Sequence, residues 1–162
     1  MTGKDGHRTT IWVDADATPG AVKEILFRTA RNRRIVVVLV ANQMLPIPQF
    51  NLIRRVVVEK HPDAADDYIV EHAQPGDLVI TADIPLAAEV VPNGVAVIGP
   101  RGEVFDLENI RQRLNTRDLM ANLRDAGIIT GGPSSFSESD RREFANALDR
   151  WITQQSRTAI SR

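Results

Sequence analysis

Residues Ile35-Val36-Val37-Val38-Leu39-Val40-Ala41 form an unbroken apolar run dominated by β-branched side chains. Such side chains are stiff at χ1 and favour extended backbone. A strand with one wet face alternates apolar and polar residues, and this one does not. It must be covered on both faces, a condition that a parallel sheet between two helical layers satisfies. The run therefore commits the chain to an α/β architecture.

The flanking sequence agrees. Residues 9–14 read as a strand, and Thr18-Pro19 reads as a helix N-cap with proline in the first turn. Val22, Ile25, Leu26 and Ala30 fall at helical spacing, which predicts a helix to about residue 31. Residues 42–50, with Pro46 and Pro48, read as a loop, and 53–58 as a strand. Asp63 is placed to cap a helix over about 64–73. Gly76-Asp77 turns the chain into a strand at 78–82, and Pro85 starts another helix. A strand at 94–98 and a turn at Pro100-Arg101-Gly102 lead into a short hairpin. The alternation predicts a mostly parallel, doubly wound sheet flanked by helices.

The last third reads as helical. Leu107, Ile110 and Leu114 form one stripe. Thr116 is expected to cap a second helix carrying Leu119, Met120 and Leu123 and ending at Gly127. Gly131-Gly132-Pro133 breaks the chain. Ser137 and Asp140 have capping-box spacing before a helix whose apolar face is Phe144, Leu148, Trp151 and Ile152. The domain organisation expected is a flexible lead at 1–8, one domain at 9–155 and a disordered tail at 156–162.

With no cysteine, the chain has no disulfide, thiol nucleophile or zinc-thiolate site, which fits a reducing, cytoplasmic setting. No apolar stretch approaches membrane-span length, so no membrane partner is expected. The net charge of −1 gives no global attraction for nucleic acid. Arg28, Arg31, Arg33 and Arg34 nevertheless crowd one stretch, either as a local basic face or as a solvated helix surface.

Aspartates cluster where strands end. Asp14 and Asp16 follow the first strand, Asp83 follows another, and Asp63, Asp66 and Asp67 open the helix between. Strand carboxyl ends share one edge of a parallel sheet, and ligands bind there. Carboxylates gathered in one crevice repel each other, and a divalent cation relieves the repulsion. Asp14, Asp16, Asp63, Asp66 and Asp83 are therefore the candidate catalytic and metal-ligating residues, with Mg²⁺ or Mn²⁺ as the expected ion. Asn42, Thr81 and Arg101 are the candidate substrate-binding or orienting residues. His7, His61 and His72 lack ligand spacing, and Gly99-Pro100-Arg101-Gly102 is not a Walker-type phosphate loop.

Several ordered motifs, Ile11 to Pro19, Val40-Ala41-Asn42-Gln43, Asp63-Ala64-Ala65-Asp66, Gly76 to Ala87, Pro100 to Glu103 and Thr130 to Pro133, resemble the bacterial YaiI/YqxD family over about residues 9–152. That family is similar to the PIN-like nucleases, whose acids at strand ends hold Mg²⁺ or Mn²⁺ for phosphodiester cleavage. The resemblance implies a PIN-like domain acting on RNA or another phosphodiester. Asp14 matches the first-strand acid, Thr81-Ala82-Asp83 the closing Thr-x-Asp, and Asp63 or Asp66 the middle acid, with Asp66 favoured over Asp67. Two alternatives stand beside it. One is a catalytically weak RNA- or protein-binding module of the same fold. The other is a haloacid-dehalogenase-type phosphatase, in which Asp14 of Asp14-Ala15-Asp16-Ala17-Thr18 is the nucleophile and Asp16 the general acid. Oligomeric state is not legible.

Overall fold

The structure is a computed structural model and describes residues 8–132 and 134–160. Its elements are β1 (Thr10–Asp14), α1 (Gly20–Arg33), β2 (Val36–Ala41), β3 (Ile53–Val57), α2 (Ala64–His72), β4 (Leu78–Ile80), α3 (Ile84–Val90), β5 (Ala96–Ile98), β6 (Val104–Phe105), α4 (Ile110–Asp125) and α5 (Glu138–Ile160). Single 3₁₀ turns occupy Ala15–Ala17 and Val91–Asn93. One six-stranded sheet has the order β3-β2-β1-β4-β5-β6, parallel except for the β5–β6 pair.

The β2 run is buried along its whole length, as is β1 between β2 and β4. Alternation along β1 feeds two cores. Ile11 and Val13 join Val37 and Leu39 beneath Val22 and Leu26 of α1 and Phe144, Leu148 and Trp151 of α5. Trp12 joins Val38 and Val40 beneath Ile69 of α2 and Leu86, Ala87 and Val90 of α3. At roughly 1.5–3 kcal/mol per fully buried large side chain, these two layers hold the helices to the sheet.

From β1 the chain moves outward through β2 to β3, then returns to lay β4 on the other side of β1. The order reverses between β1 and β4, and connections leave these strands in opposite directions. A crevice opens at their carboxyl ends.

Several details differ from the sequence expectation. The hydroxyl of Thr18 does not cap α1, which begins at Gly20 after Pro19. It turns back and donates to the Asp14 carbonyl at 2.8 Å. The two helices expected around Thr116 are one continuous α4, because neither glycine nor proline interrupts Ile110–Asp125. The chain leaves that helix at Gly127, whose φ of 74° suits glycine. Residues 156–160, expected in a disordered tail, continue α5; nothing in them breaks a helix, and residues 161–162 lie outside the described residues. Of the expected lead, Arg8 forms a β-bridge and donates to the Arg34 carbonyl at 2.8 Å, whereas 1–7 lie outside the described residues. The Ser137–Asp140 capping box is present, with both reciprocal bonds at 3.0–3.1 Å.

One glycine is required by packing. Gly102, in the β5–β6 turn, has φ 91°, and a Cβ there would stand 2.7 Å from the backbone of Glu143 in α5. The hairpin therefore rests directly on that helix.

The seam between β1 and β4 has its own lock. Asp77, only 1% exposed, precedes β4 and accepts from the Thr10 amide and the Trp12 indole N–H, each at 3.0 Å. It also accepts from the Gln74 amide at 3.0 Å. Removing this carboxylate strands two buried donors on β1 and a part-buried one in the turn before β4. Asp77→Ala should lower stability by on the order of 3 kcal/mol, read as a lower urea midpoint with unchanged slope. A change below about 0.5 kcal/mol would contradict this account of the seam.

Candidate active site

Asp14 closes β1 at the crevice and is 9% exposed. Lying two residues beyond Trp12, it points to the α2–α3 side of the sheet. Its Oδ2 accepts from Thr81 Oγ1 at 3.0 Å, a contact spanning the point where the strand order reverses. The same hydroxyl accepts from the Asp83 amide at 3.0 Å. Thr81, 1% exposed, thus joins Asp14 to the turn that carries Asp83. Thr81, expected from sequence as a substrate-binding or orienting residue, bonds the side chain of Asp14 and the backbone of Asp83.

Asp83 is the N-cap of α3, and its Oδ1 accepts from the Leu86 amide at 2.9 Å. The cap bond uses Oδ1 alone, so capping and facing the crevice are compatible roles. Asp66, half-buried on the first turn of α2, meets Asp83 across the crevice, and the two carboxyls share a hydrogen bond. Asp63 precedes α2 but makes no side-chain cap bond. Its charge is felt at Asp66. Asp67 is exposed and faces the opposite flank of α2, beside Tyr68 and Glu71.

Asp16 stands at the rim and is engaged differently. Its Oδ2 accepts from the Asn42 amide at 2.7 Å and its Oδ1 from Gln43 Nε2 at 3.1 Å. Asp16 therefore fastens the end of β2 to the turn after β1. Asn42 contributes through its backbone. The Arg101 guanidinium pairs with Asp140 at 2.9 Å and also donates to the Ser134 carbonyl, so it pins the hairpin to the start of α5. Its expected contact with substrate is left without geometric support. His61 lies beside Glu59, and His72 stacks on Tyr68 with ring centroids 3.9 Å apart. His7 lies outside the described residues.

The electrostatics of the crevice are those of unbalanced acids. Burial raises the pKa of Asp14, the Thr81 hydrogen bond opposes that rise, and the charges of Asp83 and Asp16 add to it. Asp66 is pushed up to about 7, first by burial, then by the charges of Asp83 and Asp14, the hydrogen bond with Asp83, and the charge of Asp63. Among the described residues no lysine, arginine or histidine forms an ion pair with any of the five acids. No three His, Cys, Asp or Glu side chains of the described residues stand close enough to share one ion as they lie. The donors are nonetheless hard oxygens only. Their mutual repulsion is relieved by protons or by a cation, which is the chemistry that Mg²⁺ or Mn²⁺ requires.

Sequence reading missed Asp77, whose partners on β1 are more than sixty residues away. Its one signal was an acid directly before a buried strand.

Comparison with known proteins places these residues in a wider set. A family model described as "Uncharacterized BCR, YaiI/YqxD family" matches residues 12–154. A UPF0178 protein of Bordetella petrii is 56% identical over 147 residues, which is 91% of this chain and 98% of that protein. A UPF0178 protein of Shewanella baltica is 51% identical over 144 residues, 89% and 96% of the two chains. One from Hahella chejuensis is 52% identical over 148 residues, 91% and 99%. No solved structure matches the chain at a significant level.

The Asp66 shift has a measurable consequence. Folded Asp66 holds its proton to about pH 7, whereas the unfolded chain releases it near 3.8. Between those values the folded state binds more protons, so this contribution to stability is full below about pH 4 and is lost as pH rises through about 7. Asp14, shifted in the same direction, adds to the slope. In EDTA, thermal unfolding should therefore occur at a lower temperature at pH 8 than at pH 5. Asp66→Asn should flatten that dependence and gain on the order of 1 kcal/mol at pH 8, solvent screening at a half-buried site limiting the effect. An unchanged pH slope in the variant would refute the assignment.

Proposed function

The chain belongs to the YaiI/YqxD family, and we propose that it is a PIN-like, divalent-metal-dependent phosphodiester hydrolase acting on RNA. The observation that carries this reading is the Thr81 bridge. It holds the Asp14 carboxylate at the strand-order reversal, facing Asp66 and Asp83, with no ion pair from a cation of the described residues to balance the three. The parallel order β3-β2-β1-β4-β5, with all five acids on its carboxyl edge, further supports it.

Asp14, Asp66 and Asp83 are the residues that would hold Mg²⁺ or Mn²⁺, and Asp63 adds charge from the rim. When bound, such an ion supplies Lewis-acid polarisation of a phosphoryl oxygen and lowers the pKa of water. The remaining work falls to the chain itself. Thr81 holds Asp14 in one orientation, the Leu86 amide holds Asp83, and the buried flank of the crevice limits water. Asp66, pushed up to about 7, is the carboxyl that would give up a proton if a cation neutralised its neighbours. Asp16 is a positioning residue, both its oxygens being engaged by Asn42 and Gln43. That engagement weighs against the haloacid-dehalogenase alternative, which needs Asp16 free to donate a proton.

Stripped protein should bind Mn²⁺ in calorimetry and cleave a short single-stranded RNA when the ion is restored. The Asp14→Asn, Asp83→Asn double variant should lose both properties while keeping its fold. Equal cleavage by the two proteins, or neither binding nor cleavage by the native one, would overturn the proposal. Thr81→Ala should weaken Mn²⁺ binding by about 10–100-fold, as loss of an orienting partner does, and Thr81→Ser should restore it. Unchanged affinity in Thr81→Ala would remove Thr81 from the site.

A further inference from the structure

The connection between β2 and β3 begins at the acidic crevice, where Asn42 and Gln43 bond Asp16, and ends at the opposite edge of the sheet. Along its length it builds two adjoining clefts that meet at Pro48. One, of about 460 Å³, is lined by Ile47, Pro48, Phe50 and Arg55 among others. The second, of about 240 Å³, lies between Pro48 and the outer side of α1, with Phe27, Arg28, Arg31 and Glu24 around it.

The floor and the walls of this groove differ in character. Ile47, Pro48, Phe27 and Phe50 are only half-buried, so an apolar and aromatic surface reaches solvent. Arg28, Arg31 and Arg55 are exposed around it, and Arg34 lies over the Phe50 ring at 5.8 Å. Arg28 and Arg31, one helical turn apart, form no ion pair among the described residues, and Arg55 donates through Nη1 to the Leu45 carbonyl at 2.7 Å. Glu24 is the one acid lining either cleft. In a chain of net charge −1, this is a local concentration of positive charge.

Flat guanidinium groups around partly exposed aromatic rings are a combination that holds single-stranded nucleic acid, with arginines on the phosphates and rings against the bases. An acidic peptide would use the arginines and leave the aromatic floor idle. A duplex keeps its bases stacked and would do the same. We propose that this groove is a binding site for single-stranded RNA, leading the strand toward the acidic crevice. The inference rests on the proposed hydrolase reading for its direction, but binding in the groove is separable from cleavage.

The test is fluorescence anisotropy with a labelled twelve-nucleotide single-stranded RNA, in EDTA to prevent turnover. Native protein and the Asp14→Asn, Asp83→Asn variant should both bind at low salt, weakening as salt rises. Arg28→Glu with Arg31→Glu should lose at least about 10-fold in affinity and lower the salt slope, whereas Arg28→Lys with Arg31→Lys should retain most binding. A matched reversal on α4, Arg111→Glu with Arg124→Glu, should leave affinity unchanged. Circular dichroism melts confirm that each variant is folded. No binding by native protein, or equal loss from both reversals, overturns the groove. So does competition by poly-glutamate or by duplex RNA as strong as that by the single strand. Retention of RNA without cleavage in Mn²⁺ would remove the hydrolase and leave the groove. Cleavage with affinity unaltered by the α1 reversal would do the opposite.

Discussion

The fold depends on the seam between β1 and β4. β4 is three residues long, so its backbone ladder alone is a thin attachment for the half of the sheet beyond it. Two carboxylates reinforce it from opposite ends. Below, Asp77 ahead of β4 takes donors from Thr10 and Trp12 of β1. Above, Asp14 of β1 takes a donor from Thr81 just after β4. Each strand thus lends an acid to the other. The lower clamp is fully enclosed and structural. The upper one opens into the crevice, where the same type of bond holds a side chain available for chemistry.

Placement of the acids follows from that seam. A reversal of strand order puts the turns after β1 and β4 side by side, and α2 and α3 bring their first turns to the same edge. Asp14, Asp66 and Asp83 come from three elements far apart in sequence. Burial, and then the charges of its neighbours, push Asp66 up to about 7. Apposed carboxylates with no basic partner among the described residues carry an energetic cost, and the fold bears that cost at this edge of the sheet.

The sequence showed this arrangement unevenly, for physical reasons. β2 was legible because burial on both faces leaves an uninterrupted β-branched run. Asp14, Asp66 and Asp83 were legible because strand ends and first helical turns can be located from local pattern. Thr18-Pro19 misled because a threonine hydroxyl can bond forward to a helix amide or backward to a carbonyl, and local sequence does not decide between them. Thr116 misled similarly, since a cap residue in mid-helix looks the same as one at a boundary. Asp77 and the engagement of Asp16 by Gln43 were not legible at all. Both depend on which strands become neighbours, and no periodicity records that.

The Thr81 hydroxyl has one hydrogen. Because it accepts from the Asp83 amide, that hydrogen is directed to Oδ2 of Asp14. Oδ2 is thereby engaged as an acceptor, and Oδ1 is the oxygen that Thr81 does not touch. The two oxygens of one carboxylate are thus made inequivalent by a neighbour that never changes charge. One is anchored to the scaffold through Thr81, and the other lies outside that bond.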